Sequence, residues 1–354
     1  MLTEQMVLDA LSNVQEPELG KDLVSLNMVK DIVIEGDKLT FTVQLTTPAC
    51  PLKSEIEKRC REGLAGVEGL NQIEVKWGSQ VARGATNPQM EEMAPGIKNV
   101  IAVSSGKGGV GKTTVAVNLA VALAKQGAKV GIMDADIYGP NVPKMMGLKD
   151  QPLSRDGKMV PPEAHGVHVM SMGFLVPDDT PLVWRGPMIH GAIQQFLKDV
   201  AWDEIDYLIV DLPPGTGDAQ LSICQLMPVT GAVIVTTPQE VSLLDSKRGL
   251  AMFQKVNVPL LGIIENMSFF QCPNCDCRTD IFSTGGGKIA AEALGVDFLG
   301  AVPIDTAIRE GGDSGTPIVA SDPDAPQAVI LTELAQNIAA KIAVRNQSNV
   351  LRII

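Results

Sequence analysis

A glycine-rich segment at residues 105–114 constrains this chain more than any other feature. It reads Ser-Gly-Lys-Gly-Gly-Val-Gly-Lys-Thr-Thr and fits the pattern G-x-x-x-x-G-K-[ST]. The apolar run at 99–103 before it predicts a buried strand, and the apolar positions at 115–124 after it predict a helix. A strand, a glycine-rich loop and a helix in this order predict a phosphate-binding loop. A glycine-rich turn that binds nothing is the alternative, and the flanking strand and helix disfavour it.

The residue types in this loop suit a bound phosphate. Glycines let successive backbone N–H groups turn toward phosphate oxygens, and the following helix presents its positive end to the same anion. Lys112 would supply charge to the outer phosphates, and Thr113 a hydroxyl ligand for magnesium. The predicted nucleotide contacts in the loop are Gly106, Lys107, Gly108, Gly109, Val110, Gly111, Lys112, Thr113 and Thr114.

A second lysine, Lys107, lies beside the first glycine of the loop. With it, residues 106–113 resemble the deviant Walker A motif of the MinD, ParA and nitrogenase-reductase class. The resemblance implies a nucleotide-bridged homodimer in which Lys107 reaches the partner's phosphates. Its role would resemble that of an arginine finger, with positive charge supplied only when two subunits meet.

Charge and hydropathy narrow the possible partners. The net charge is −12 and no run of Lys or Arg stands out, which argues against a nucleic-acid surface. The first residues lack the pattern of a signal peptide, and no apolar run approaches the roughly 18 residues that would span a bilayer. We therefore expect a cytoplasmic protein with neither a membrane nor a nucleic acid as partner.

Residues 1–81 read as a small α+β module with the element order αββαβ. Thr3 is placed to cap the first helix, residues 30–46 form a hairpin, and a second helix begins near Pro51. Segments 16–20, 23–26 and 46–51 are similar to the MIP18-like domain (DUF59) of iron-sulfur assembly proteins. Cys50 precedes the second helix, where the helix dipole would lower a thiol pKa, or it is simply a small packed residue. Cys60 lies on the apolar face of that helix and is predicted to be core.

The rest of the chain predicts a larger domain. Residues 82–98 are rich in Gly, Pro, Asn and acidic residues and read as a linker, residues 99–345 as the phosphate-loop ATPase domain, and residues 346–354 as a tail. Near-continuous apolar strands alternate with helices, which predicts an α/β fold with a mostly parallel sheet covered by helices on both faces. Ligands of such sheets lie at the carboxyl ends of the strands.

Several polar residues follow predicted strands and are candidates for the nucleotide site. Asp211 ends an apolar strand in a Walker B pattern and is the predicted magnesium carboxylate. Segments 212–218 and 133–141 resemble switch II and switch I of the Mrp/ApbC-type ATPases. That resemblance implies that Asp136 orients the attacking water with help from Asp134, although an aspartate pair that caps a helix is the alternative. Asn266 matches the adenine-reading position of relatives, and a turn-forming asparagine is the alternative.

A cysteine cluster at 272–277 is the second informative stretch. The C-P-x-C turn of Cys272 and Cys275 aims two thiolates at one point, and thiolates prefer zinc or iron in clusters. One pair is half of a four-cysteine site, which two copies at a homodimer axis would complete. Cys277 is an extra thiol that is a third ligand, a transfer relay or an inert neighbour, whereas Cys224 reads as core.

These motifs together resemble the Mrp/ApbC iron-sulfur carrier ATPases, as do segments 134–140 and 184–187. The resemblance implies a [4Fe-4S] cluster held by Cys272 and Cys275 of each subunit, with Lys107, Lys112 and Asp136 as catalytic residues. The expected function is an ATP-hydrolysing carrier that passes its cluster to apo-proteins. The alternatives are a MinD- or ParA-like positioning ATPase and an ATPase whose dimer is joined by structural zinc.

Overall fold

Two units make up the chain in this computed structural model, which describes residues 2–84, 92–137, 139–175 and 186–350. The small unit comprises the described parts of Met1–Ala82 and Ala339–Ile354, and the large unit those of Arg83–Ile338. Of the segments that the sequence singles out, Tyr138, Trp184, Arg185 and residues 85–91 lie outside the described residues.

The small unit has the element order expected of an α+β module. Its elements are α1 (Glu4–Leu11), β1 (Val29–Glu35), β2 (Lys38–Leu45), α2 (Lys53–Leu64) and β3 (Gln72–Ser79). The central strand β2 runs antiparallel to β1 and parallel to β3. The Thr3 hydroxyl accepts a hydrogen bond from the N–H of Met6 at 3.3 Å, so the predicted helix cap is confirmed. Gly36 takes a φ of 65° in the tight turn between β1 and β2.

Alternation and helical spacing build the core of this unit. Every second residue of β2 is buried, because successive side chains of a strand point to opposite faces. Ile56, Cys60 and Leu64 recur every fourth residue along α2, and all three are buried. Full burial of such a side chain contributes about 1.5–3 kcal/mol, so this stripe alone fixes which face of α2 meets the sheet.

The large unit is organised around a sheet of eight strands in the order β15-β12-β11-β4-β10-β5-β9-β8. Neighbouring strands are parallel except for β8 and β9. The strands are β4 (Ile97–Ser104), β5 (Val130–Asp134), β6 (Leu153–Arg155), β7 (Lys158–Val160), β8 (Glu163–Ala164), β9 (Val167–Ser171), β10 (Ile205–Asp211), β11 (Val229–Thr236), β12 (Leu260–Glu265), β13 (Phe270–Gln271), β14 (Arg278–Thr279) and β15 (Phe298–Ala301). Separate two-stranded hairpins are formed by β6 with β7 and by β13 with β14.

Helices cover both faces of this sheet. They are α3 (Lys112–Lys125), α4 (Val142–Met145), α5 (Gly186–Lys198), α6 (Asp218–Leu226), α7 (Glu240–Lys255), α8 (Gly286–Leu294), α9 (Thr306–Ser314), α10 (Ile318–Ser321) and α11 (Pro326–Val350). Every residue of β5 and β10 is buried, which requires cover on both faces and confirms the predicted α/β fold. No described helix combines the length and the apolar character that crossing a membrane would require.

Two predicted boundaries differ from the structure. The linker expected at 82–98 ends inside β4, which begins at Ile97 because its residues already pair with β10. The tail expected from 346 begins inside α11, which continues to Val350. Asn346 is buried there, and its Nδ2 donates to the carbonyl of Ala82 at 3.2 Å. Its polar sequence concealed a helix that packs within the small unit.

Strand register brings the predicted functional carboxylates to one edge. Asp211 at the end of β10 pairs with Asp134 of β5 on one side and with Val103 of β4 on the other. On the far side of β4, Thr236 of β11 pairs with Glu265 of β12. Because parallel strands end at the same edge, the loops after β4, β5, β10 and β12 meet there.

Candidate functional site

The phosphate loop joins β4 to α3 at this edge of the sheet. Gly109 and Gly111 have φ values of 77° and 78°, which favour glycine, and Gly111 caps α3. A side chain at Gly111 would also collide with the amide nitrogen of Asn266. The loop therefore needs glycine at Gly111 for its backbone conformation and for the close approach of Asn266.

A cavity of about 830 Å³ opens above this loop. Residues 107–114 line it with Asp136, Asn266 and side chains from other elements of the large unit, which include Pro214, Phe282, Ile304 and Arg309. The structure thus gathers the predicted loop contacts other than Gly106, together with Asp136 and Asn266, around one cavity. Cys272 and Cys275 do not line it.

Asp211 lies at the base of the loop and contacts Lys112 and Thr113, two predicted functional residues of the loop. The Lys112 ammonium contacts Asp211 Oδ1 at 2.5 Å, and the Thr113 hydroxyl donates to Oδ2 at 2.6 Å. The Asp211 side chain is 0% exposed and that of Lys112 6% exposed. Burial raises the pKa of Asp211, whereas the Lys112 charge and the two hydrogen bonds lower it. The Asp211 carboxylate and the Thr113 hydroxyl thus form a small group of oxygen atoms beside the buried Lys112 ammonium.

Asp134 and Asp136 take different positions after β5. Asp134 is fully buried and accepts hydrogen bonds from the N–H groups of Asp136 and Val142 and from the Ser171 hydroxyl, each at 3.1 Å. Burial and then the Asp211 charge raise the pKa of Asp134 to about 7. Asp136 is only partly buried and lines the cavity. In this geometry Asp134 shapes the loop that presents Asp136.

Lys107 lines the cavity from the start of the loop. Its Nζ donates to the side-chain oxygen of Gln239 at 3.2 Å, and the Ser105 hydroxyl donates to its carbonyl at 2.9 Å. Gln239 immediately precedes α7 and also lies 3.4 Å from the Thr237 hydroxyl. The second lysine of the loop is therefore held within its own chain.

The segment after β10 is tied to the phosphate loop through backbone and side-chain contacts. The Gly215 N–H donates to the carbonyl of Ser105 at 3.0 Å. The buried Gln220 accepts from the Ser104 hydroxyl at 3.2 Å and donates to the carbonyl of Pro213. Direct hydrogen bonds thus join the start of the phosphate loop to the segment after β10.

The end of β12 carries two neighbouring side chains that point to different partners. Asn266 donates from Nδ2 to the carbonyl of Val110 at 2.8 Å, which fixes the strand end against the phosphate loop. Glu265 is 1% exposed and accepts hydrogen bonds from the Ser268 hydroxyl at 2.5 Å and the N–H of Gly287 at 2.5 Å. Its carboxylate thus lies at the N-terminus of α8, where a negative charge is favourable.

The cysteine pair lies on the hairpin of β13 and β14. The N–H of Cys272 donates to the carbonyl of Cys277 at 3.0 Å, and the N–H of Asp276 to the carbonyl of Cys272 at 2.9 Å. Asp276 closes the turn with a φ of 56°. Cys272 is partly exposed, and Cys275 and Cys277 are exposed. The hairpin therefore presents three thiols that are at least partly exposed.

The remaining cysteines are buried to different degrees. Cys60 and Cys224 are buried, as predicted, and burial raises the pKa of each thiol to about 12. The prediction of a lowered pKa at Cys50 is wrong. Burial is the main cause that raises the pKa of Cys50 to about 11. The hydrogen bond from the N–H of Leu52 lowers this pKa, whereas the charges of Glu18 and Glu16 raise it further. The packed-residue interpretation fits Cys50 better than the activated thiol.

Three contributors to the site were missed from sequence: Glu265, a group of cavity residues after β15, and Gln239. Glu265 ends an apolar strand just as Asp211 does, so the same pattern would have found it. The cavity residues from Pro303 to Asp313 follow β15 at the carboxyl edge, where the general rule for parallel sheets places ligands. Gln239 carries no sequence signal, because its role depends on the distant Lys107.

Comparisons with known proteins agree with this architecture. The family model described as NUBPL iron-transfer P-loop NTPase matches residues 96–339. A second model, described as iron-sulfur cluster assembly protein, matches residues 4–77. The first match covers most of the chain and the second the small unit.

Relatives of similar length carry related names. A protein of Synechocystis named iron-sulfur cluster carrier protein is 51% identical over 97% of this chain and 99% of its own length. The protein of that name in Escherichia coli is 45% identical over 95% and 92%. The iron-sulfur cluster transfer protein NUBPL of Dictyostelium discoideum is 46% identical over 86% and 95%.

Solved structures match about two thirds of the chain. A nucleotide-binding protein of Archaeoglobus fulgidus in complex with ADP is 43% identical, with a TM-score of 0.58 over 64% of this chain and 90% of that one. The cell division ATPase MinD of Pyrococcus furiosus shares the fold at 24% identity, with a TM-score of 0.52 over 68% of this chain and 98% of its own.

Proposed function

The chain belongs to the NUBPL iron-transfer P-loop NTPase family, and from this we propose that it binds and hydrolyses ATP and carries an iron-sulfur cluster to apo-proteins. One observation carries the proposal. The large unit combines a phosphate loop, with its lysines and carboxylates around one cavity, and a surface hairpin that presents Cys272 and Cys275. The relatives reported above are named as carrier or transfer proteins, and this chain matches them over nearly their whole length.

ATP would bind with its phosphates on the phosphate loop and its base toward the apolar part of the cavity. The Thr113 hydroxyl and the Asp211 carboxylate lie 2.6 Å apart, and such hard oxygen donors fit a magnesium ion. Magnesium would neutralise phosphate charge there, and Lys112 is close enough to exchange its contact with Asp211 for a phosphate oxygen. Asp136 faces the cavity, where it would orient water, and Asn266 would reach the base.

A pair of identical chains would complete both sites. Each chain brings two thiols on its hairpin, and a [4Fe-4S] cargo is held by four. Lys107 lies at the cavity wall, and its ammonium group donates to Gln239. It would be available to a second chain once that hydrogen bond breaks. A homodimer with a two-fold axis supplies four thiols and two exchanged lysines in one arrangement.

Anaerobic reconstitution with iron and sulfide tests this proposal. Wild-type protein should take up about one cluster per dimer, measured by iron and sulfide content and by visible absorption. Cys272→Ser and Cys275→Ser should each abolish stable uptake. Cys277→Ser is the matched control from the same hairpin and should retain it.

Two outcomes would contradict the proposal. Equal uptake by all four proteins would remove the ligand assignment. Zinc in place of iron in protein purified without air would favour a structural metal that joins the dimer. Transfer from the loaded protein to an apo-ferredoxin, with and without ATP, then tests the carrier role.

A further inference from the structure

The cysteine hairpin is part of a longer segment that leaves β12 and returns at α8. On the outgoing side, the N–H of Ser268 donates to the carbonyl of Val302 at 2.9 Å, and the N–H of Ile304 donates to the carbonyl of Phe269 at 2.7 Å. These bonds extend the edge of the large sheet. The hairpin is therefore built directly beside residues 302–304, of which Pro303 and Ile304 line the cavity.

On the returning side, two apolar residues reach the same cavity. Ile281 and Phe282 follow β14 and are lining residues. Ile281 is 51% exposed, so its apolar side chain is accessible to a ligand in the cavity. The wall of the nucleotide cavity and the base of the cysteine hairpin are thus the same short piece of chain.

Both ends of the segment are anchored to one buried carboxylate. Glu265 accepts from the Ser268 hydroxyl before the hairpin and from the N–H groups of Gly285 and Gly287 after it, at 3.3 Å for Gly285. With both ends fixed, a displacement of the lining residues is taken up by the hairpin between them. Displacement of the whole segment would break charge-assisted hydrogen bonds.

The turns of this segment hold left-handed backbone at residues other than glycine. Met267, Asp276 and Ser283 have φ values of 55°, 56° and 79°, and they lie before, within and after the hairpin. Met267 also lines the cavity, and Ser283 adjoins Phe282. Such conformations persist only where the surroundings impose them, and they occur at ligand clamps and switch regions.

We propose that Ile281 and Phe282 are nucleotide-positioning residues through which occupancy of the cavity alters the exposure of the Cys272 and Cys275 thiols. The inference rests on the proposed function, because it takes a nucleotide as the cavity's ligand. The phosphate loop fixes one end of that ligand, and the apolar side chains of Ile281, Phe282 and Ile304 are available to pack against the base and ribose. A ligand that prefers one position of the segment shifts the hairpin toward it, and a metal centre on the hairpin shifts nucleotide affinity by the same factor.

Thiol labelling tests the inference in the full chain. Metal-free protein is treated anaerobically with N-ethylmaleimide alone, with ADP or with a non-hydrolysable ATP analogue, each saturating. Labelling of Cys272 and Cys275 is followed by peptide mass spectrometry, with Cys50 of the small unit as internal reference. We expect nucleotide to change the two rates roughly fivefold or more in the wild type, and less than about twofold in Phe282→Ala and Ile281→Ser.

Two controls make the test specific. Ile289→Ala removes another exposed isoleucine, 65% exposed on α8 and not a lining residue, and should keep the wild-type response. Phe282→Leu keeps an apolar side chain in the cavity wall and should retain most of the wild-type labelling response to nucleotide.

The outcomes separate this inference from the proposed function. An unchanged response in Phe282→Ala and Ile281→Ser, or its loss in Ile289→Ala, overturns the route through the cavity wall. A wild type that binds nucleotide and takes up a cluster but labels at one rate throughout also overturns it, while the carrier function stands. Failure of nucleotide binding or of cluster uptake on the same preparation overturns the proposed function itself.

Discussion

Lys107 donates a hydrogen bond from Nζ to Oε1 of Gln239 at 3.2 Å. The lysine expected to act across a dimer is therefore bound to a residue of its own chain. The same lysine lines the nucleotide cavity. The hydrogen bond to Gln239 therefore competes with any contact that Lys107 makes to a partner's phosphates. We propose that this competition would keep hydrolysis slow until two chains meet.

Replacement of Gln239 by Ala should release Lys107. A hydrogen bond to a charged group at a partly exposed position contributes about 1 kcal/mol, so dimer-dependent hydrolysis should rise roughly fivefold at limiting protein concentration. The measurement is phosphate release against protein concentration. A decrease at every concentration would show that Gln239 supports the site instead of restraining it.

Lys107→Ala is the matched test of the lysine itself. Loss of a charge that acts only in the transition state should reduce hydrolysis by about 10³-fold or more while ATP binding changes little. Binding of a fluorescent ATP analogue and phosphate release are measured on the same samples. A parallel loss of binding and hydrolysis would place Lys107 in ground-state binding.

Removal of one partner of the buried Lys112–Asp211 pair should destabilise the large unit. Asp211→Ala leaves the Lys112 ammonium buried without its carboxylate, and such losses cost about 3–5 kcal/mol. Asp313→Ala breaks an exposed pair with Arg309 at 2.9 Å and should cost less than about 1 kcal/mol. Thermal unfolding monitored by circular dichroism compares the two variants with the wild type. Equal effects would contradict the assignment of Asp211 as the electrostatic anchor of the loop.

Glu265→Gln should loosen the cysteine hairpin without unfolding the sheet. The substitution removes the charge that accepts from Ser268 and Gly287, a loss of about 1.5–3 kcal/mol. Hydrogen exchange should accelerate in residues 268–287 and stay unchanged in β4 and β10. Glu292→Gln on the exposed face of α8 is the control. Uniform acceleration across the large unit would mean that Glu265 supports the whole sheet.

Local patterns predicted the fold and the phosphate end of the site because their signals lie close together in the chain. The loop at 105–114 is one such pattern, and strand ends at Asp211 and Asn266 follow from apolar periodicity. The boundary predicted at 346 was misplaced, because the polar residues that follow it gave no sign that helix α11 continues to Val350. In that case packing within the small unit decided the structure.

Contacts between distant residues could not be predicted in the same way. The hydrogen bond from Lys107 to Gln239 joins residues far apart in the chain, and it depends on the packing of two loops. The choice between the two interpretations of Cys50 could not be made from sequence for the same reason. A helix dipole is readable from sequence, whereas the burial and the neighbouring Glu16 and Glu18 that outweigh it arise only from the folded unit.

The reactivity of Cys50 follows from this raised pKa. The thiolate is the form that reacts with iodoacetamide, so a pKa of about 11 in place of 9.0 lowers its fraction at pH 8 roughly a hundredfold. Native protein should alkylate at Cys50 about a hundred times more slowly than urea-unfolded protein, and the native rate should keep rising until the pH passes about 11. Glu18→Gln should shift this profile slightly toward lower pH, since burial is the larger cause. A native rate that levels off below pH 9, measured by peptide mass spectrometry, would mean that the helix dipole prevails at Cys50 after all.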